Sequence, residues 1–214
     1  MPAKKNRSRR AATPVNIRQR LVDITLRLIE ENNGCRGVNL RQIAARARCA
    51  HTNVYNYFDS LEALFWAAMD QALERLIDYT LTQLQNPASK SAPLRHFLES
   101  QIDYSLAHPA HYRLFWLEPL SGKPSPQVMK RLEEMRVFWS HLIATETIAS
   151  AKTVLTEADL IQAGQIIHGY YHGELCKLVS REEFITTSAD VKERIVGNTL
   201  ALVRIIGLSK QNSA

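Results

Sequence analysis

Little in this sequence of 214 residues interrupts a helix. Glycine and proline number eight each, and the prolines fall almost entirely between apolar-periodic segments. Cysteine is scarce. Cys35, Cys49 and Cys176 have neither metal-type nor disulfide-type spacing, and their odd count suits a reducing compartment. No run of 18 or more apolar residues occurs, which excludes a membrane-spanning helix. The basic start, Met1 to Arg10, is followed by no apolar stretch, so a secretory signal peptide is excluded and a cytoplasmic protein is expected. A nucleophile elbow, a phosphate-cradling glycine loop and a zinc-hydrolase motif are also missing, so an enzyme is not expected.

What is present is helix-forming and unevenly charged. Residues 1–60 hold twelve Lys and Arg against four Asp and Glu, +8 of formal charge. The whole chain carries +6, which leaves −2 on residues 61–214. A solvated basic tail accounts for Lys4, Lys5, Arg7, Arg9 and Arg10. It does not account for Arg18, Arg20, Arg27, Arg36, Arg41, Arg46 and Arg48, which lie within a patterned segment. This is the footprint of a polyanion-binding module joined to a near-neutral body.

Apolar residues recur at spacings of three and four through most of the chain, and strand-like alternation is nearly absent. The spacing predicts helices over about 15–32, 40–48, 51–57, 61–84, 94–107, 110–117, 127–150, 157–179 and 191–208. Their boundaries follow from local chemistry. Asn32-Asn33-Gly34 tolerates left-handed backbone and ends the first helix. Asn39, with Gln42 three residues on, forms a capping box for the second, and Asp59 or Ser60, with Glu62, caps the fourth. Asn86 to Pro93 reads as the clearest linker. An all-α, nine-helix chain is expected, comprising a basic flexible arm (1–14), a helix-turn-helix unit (15–60) and a helical body (61–214).

The two shortest helices stand together in the most basic region, as in a unit that presents a recognition helix to the DNA major groove. Ala44, Ala45 and Ala47 are small enough for close approach, and Leu40, Ile43, Val54 and Phe58 have the spacing to hold the pair against the first helix. Ile43-Ala44, Ala47, Val54-Tyr55, Tyr57-Phe58, Glu62 and Leu64 resemble the N-terminal signature of the tetracycline-repressor (TetR) family, across about Ile17 to Phe65. The resemblance implies a homodimer formed through the two C-terminal helices, a palindromic double-stranded DNA operator, and a small-molecule effector that releases a repressor. It also implies residue roles. Arg41 would reach a base, where Arg suits guanine, and His51, Thr52 and Asn53 would meet base edges, where Asn suits adenine. Asn39, Tyr55 and Tyr57 would hold phosphates, with Asn56 offering a further donor on the exposed face. For Tyr55, partial burial against the first helix is the competing reading; for Arg46, a solvated surface role is favoured over contact.

The sequence departs from that pattern at the turn. Arg48-Cys49-Ala50 replaces the usual Gly and Val-Ser, removing the side-chain cap of the recognition helix, and Leu61 replaces a phosphate-contacting Lys. Arg48 or the arm is expected to substitute for that anchor.

In the body, Gly164, Gly169 and Gly173 lie in one helix, and an apolar stripe including Ile195, Leu202 and Ile206 accompanies Gly197 in the last. Both features suit close packing with a symmetry mate. The resemblance implies a cavity enclosed by the middle helices, with Trp66, Phe97, Tyr104, Tyr112, Phe115, Trp116, Phe138, Trp139, His168, Tyr171 and His172 as candidate lining. Core packing is the ordinary alternative for each aromatic. His168 and His172, four apart on one helix face with His108 and His111 as possible partners, could chelate a metal, but no cofactor is expected. A DNA-binding scaffold without an effector remains the alternative function.

Overall fold

The computed structural model describes residues 16–180 and 188–211. Among these, nine α-helices and one 3-10 turn form the regular structure, and no strand occurs. The helices are α1 (Ile17–Glu31), α2 (Leu40–Ala47), α3 (His51–Val54), α4 (Leu61–Leu84), α5 (Pro93–Ala107), α6 (Pro109–Trp116), α7 (Pro126–Ala151), α8 (Glu157–Ser180) and α9 (Ser188–Gln211). No described helix is long and apolar enough to cross a membrane. The basic arm expected over residues 1–14 lies outside the described residues, as does most of the polar break between Ser180 and Asp190.

Helix ends form where polar side chains replace missing backbone partners. Asn16 starts α1 by accepting from the Gln19 N–H at 3.3 Å. Its far end closes with Asn33 at φ 54° and the Gly34 N–H donating to Ile29 O at 2.9 Å. Gly34 has a second reason to lack a side chain, since a Cβ there would collide with the Glu118 carboxylate, which accepts from the Cys35 N–H at 3.0 Å. Burial beside that carboxylate pushes the Cys35 thiol up to about 12. Ser60, rather than Asp59, caps α4, accepting from the Ala63 N–H at 3.1 Å.

Three sequence expectations change. α3 ends at Val54 instead of Tyr57, and the chain continues to Phe58 in tighter turns such as Tyr57 N–H to Val54 O. The helix begins without a side-chain cap, and Asn53 and Asn56 are weak helix formers. The expected linker is folded: Asn86 caps a 3-10 turn over Pro87–Lys90, and buried Ser89 donates to Gln83 O at 3.1 Å. Ala45 is exposed, so the close approach within the helix pair rests on buried Ala44 and Ala47 alone.

Two apolar clusters organise the chain. The first joins α1 to α3 with Leu64, Phe65, Ala68, Met69, Ala72 and Leu73 of α4, and takes in Leu114 of α6 and Val128 of α7. The second is built from α5 to α9, with Leu98, Ile102, Ile143, Ile167, Ile195 and Val203 at its centre. α4 and α6 therefore touch both the head (α1–α3) and the remaining helices. Ion pairs reinforce the outer seams: Arg131 of α7 reaches Asp70 of α4 at 2.7 Å, and Lys192 of α9 reaches Asp103 of α5 at 2.6 Å.

Candidate nucleic-acid interface and adjoining cavity

The head is a three-helix unit whose second and third helices meet at a tight turn. Both bonds of the α2 capping box form: Gln42 N–H to Asn39 Oδ1 at 3.0 Å, and Asn39 N–H to Gln42 Oε1 at 3.2 Å. Asn39 is exposed but occupied, because its Nδ2 also donates to Gly37 O at 3.4 Å. α2 closes with Arg48 in the left-handed region, φ 54° and ψ 44°, the conformation for which Gly is usual. Ala50 precedes α3 with no side-chain cap. Ile43, Val54 and Phe58 are buried and Leu40 half-buried, which fixes α2 and α3 on α1. The opposite face is open. Asn39, Arg41, Arg48, His51, Thr52, Asn53, Tyr55, Asn56 and Tyr57 are all exposed and lie on the α2–turn–α3 stretch.

Tyr55 is 51% exposed, so the burial considered for it is at most partial. Arg46 is neither free nor on that face, since its guanidinium pairs with Glu31 at 2.5 Å. Their hydrogen bond holds the Glu31 carboxyl below its usual range and raises Arg46. Arg18 is also tied down, its guanidinium 4.8 Å above the Phe58 ring. Leu61 packs half-buried against the head core and offers no charge at the start of α4.

Beyond the head, α4 to α8 enclose a cavity of about 510 Å³. Eight of the eleven predicted residues line it: Phe97, Tyr112, Phe115, Trp116, Trp139, His168, Tyr171 and His172. Three do not. Trp66 donates from Nε1 to Ser121 O at 2.9 Å beside the head, and Phe138 packs edge-on against Phe97 from outside. Tyr104 is buried against α4, its hydroxyl 2.9 Å from His111 Nδ1. Sequence reasoning missed the polar lining from Gln101, Ser105, Arg136, Ser140 and Gln165. Steps of three and four from Trp139 reach Arg136 and Met135, and the same steps from His168 reach Gln165, Gly164 and Ile161, so that signal was available.

The surroundings of His168 and His172 favour their neutral forms. The rings of His168 and His172 stack 5.7 Å apart beneath Trp116, and burial lowers the pKa of both. The Tyr112 hydroxyl lies 2.7 Å from His172 Nδ1, and burial raises its own pKa. His108 and His111 do not join this pair. They stack on each other at 5.0 Å, and with Glu30 they form the one described group whose ligand atoms lie within 4.8 Å of one another. Both His111 nitrogens already have partners there, Tyr104 Oη and Glu30 Oε1, the latter at 2.8 Å.

α6 bridges cavity and head. Tyr112, Phe115 and Trp116 face the cavity, whereas His111 meets Glu30 of α1 and Arg113 donates to Asn33 O at 3.2 Å and Val179 O at 2.9 Å.

No family model matches the chain. In sequence it is 28% identical over 139 residues to the HTH-type transcriptional regulator RutR of Escherichia coli O157:H7, covering 64% of this chain and 56% of that relative. The chain thus spans little more than half the length of the curated relative. In structure it is similar to a TetR-family transcriptional regulator from Streptomyces coelicolor, with a TM-score of 0.66 at 19% identity over 92% of this chain and 84% of that one. A TetR-family transcription regulator from Marinobacter aquaeolei VT8 superposes with a TM-score of 0.61 at 15% identity over 87% and 94%. Among the described residues the nine-helix fold is that of these TetR-family regulators, and the sequence is similar to that of the HTH-type regulator.

Proposed function

We propose that the chain is a dimeric DNA-binding repressor, released from a palindromic operator when a small molecule enters the cavity between α4 and α8. The carrying observation is the open face of α2 and α3, where nine polar or aromatic donors stand exposed in the most basic quarter of the chain. Phosphate contacts would position the head, and Arg41 and Asn53 would read bases. Selection from a randomised duplex library tests this. Arg41→Ala and Asn53→Ala should each lose ~1–3 kcal/mol of discrimination at particular base positions. Unchanged preference in both variants refutes the assignment.

Two further features support the dimer and the switch. Ile195 and Ile206 of the α9 stripe pack on this chain's own core, which favours another face for a second copy. Another face remains. Ile166, Gly169 and Gly173 recur at helical spacing on α8, and Gly197, Ala201, Ile205 and Leu208 do so on α9. Ile205 is 60% exposed, and a Cβ at Gly169, Gly173 or Gly197 would touch nothing within 4 Å. A second copy seated there would supply the two-fold symmetry that a palindromic operator matches. The cavity favours effector control over a scaffold role, since a solid body would suit the latter. Ligand would bias α4 and α6, which touch both cavity and head, by a coupling of ~1–3 kcal/mol. A compound that raises the melting temperature yet leaves affinity for the selected duplex unchanged removes the switch and leaves DNA binding intact.

A further inference from the structure

Among the described residues, Trp139 Nε1 is the one fully buried side-chain nitrogen or oxygen with no hydrogen-bond partner. Native proteins seldom leave such a donor unmet, so it marks a place where an acceptor arrives. The indole is held, not loose: Phe97 packs 5.3 Å from it and Tyr171 6.2 Å away. Its Nε1 edge lies beside Gly164 of α8, where a Cβ would stand 3.9 Å from the nitrogen. With glycine there, no side chain of α8 at that position lies over the donor.

The remaining lining narrows the chemistry. Phe97, Phe115 and Trp116 present aromatic surface. The lining contains no carboxylate, so a ligand cation would find no ion-pair partner there to offset its desolvation. Its one formally charged group, Arg136, is already bound to Glu133 at 2.8 and 2.6 Å.

We propose that the cavity binds an aromatic ligand without positive charge, which presents a carbonyl or carboxylate oxygen to Trp139 Nε1–H beside Gly164. This rests on the reading of the cavity as the effector site. The ligand's ring system would fill the aromatic walls, and its oxygen would meet the one donor the fold leaves unanswered. Specificity then comes from that single hydrogen bond, because an analogue lacking the acceptor leaves the donor buried and unpaired.

Calorimetric titration of the full chain with four probes tests the proposal: 2-acetonaphthone, 2-ethylnaphthalene, 2-naphthoate and 2-naphthylmethylammonium. The ketone and the carboxylate should bind at least about fivefold tighter than 2-ethylnaphthalene, the fold-change of one ordinary hydrogen bond, and the ammonium probe weakest. Trp139→Phe should bring ketone and hydrocarbon within about twofold. Gly164→Ala, whose added methyl makes only ordinary contact, should narrow the preference and guards against a Trp139 variant that fails to fold. Equal binding of ketone and hydrocarbon by the unaltered chain overturns the donor assignment while the effector cavity stands. A preference that survives in both variants overturns it too. Binding of none of the four probes overturns both the ligand class and the cavity reading.

Discussion

Ala50 precedes α3 with no side chain able to accept from its first N–H groups, a defect confined to one residue. Ala50→Ser should stabilise the chain by about 1 kcal/mol, read as a rise in urea midpoint at unchanged slope. No gain would mean that the turn after Arg48 already satisfies those groups. His111 gives a second prediction at this scale. Burial lowers its pKa from 6.5 to about 4 despite the Glu30 carboxylate beside it. An unfolded histidine takes its proton near pH 6.5, whereas folded His111 does so only near 4. The unfolded state therefore binds more protons in between, and stability must fall as pH drops from about 6.5 to 4. The loss attributable to this ring is up to about 3 kcal/mol. His111→Gln should flatten that part of the pH–stability curve, while the contributions of His168 and His172 remain. An unaltered curve would place the titration elsewhere.

Among the elements, α6 carries the most consequence for its length. One guanidinium, that of Arg113, binds the closing carbonyl of α1 at Asn33 and the end of α8 at Val179. Arg113→Ala should leave ligand affinity and operator affinity nearly unchanged when each is measured alone. It should reduce the factor by which one alters the other, as read by operator titrations at saturating and zero ligand. A coupling equal to that of the unaltered chain would move transmission to α4. Element boundaries were readable because Asn, Gly and Pro act locally: Asn39 with Gln42, Asn33 and the N-terminal prolines of α5, α6 and α7 declare themselves within four residues. The clasp on the head was not readable. Glu30 and His111 lie 81 residues apart, and no spacing rule joins them. Trp66, Tyr104 and Phe138 were misplaced for a related reason: aromatic content marks a buried helix face without saying whether a core or a cavity lies against it.

For the molecule as a whole, charge and apolar surface are separated. Residues 1–60 hold the excess positive charge, and the outward face of α8 and α9 carries Ile166, Ile205 and Leu208, the last two 60% and 40% exposed. Ile205→Asp on the proposed interface should shift the chain from dimer to monomer in sedimentation. It should also cost the palindromic duplex much more affinity than an isolated half-site. A variant that remains dimeric would assign the interface to another face. The head face itself was legible in fold and exposure, since the nine named side chains are exposed, although Tyr55, Asn56 and Tyr57 follow α3 instead of lying on it. Individual contacts were less so, because Asn39 is consumed by capping and Arg46 by Glu31.

The sharing of α6 between cavity and head has a consequence that runs backwards. If occupancy of the cavity weakens the grip on DNA, occupied DNA must weaken the grip on the ligand by the same factor. Free copies of the chain would then capture ligand first, acting as a buffer that delays the response of the copies already seated. Total copy number, and not affinity alone, would set the ligand concentration at which the operator opens.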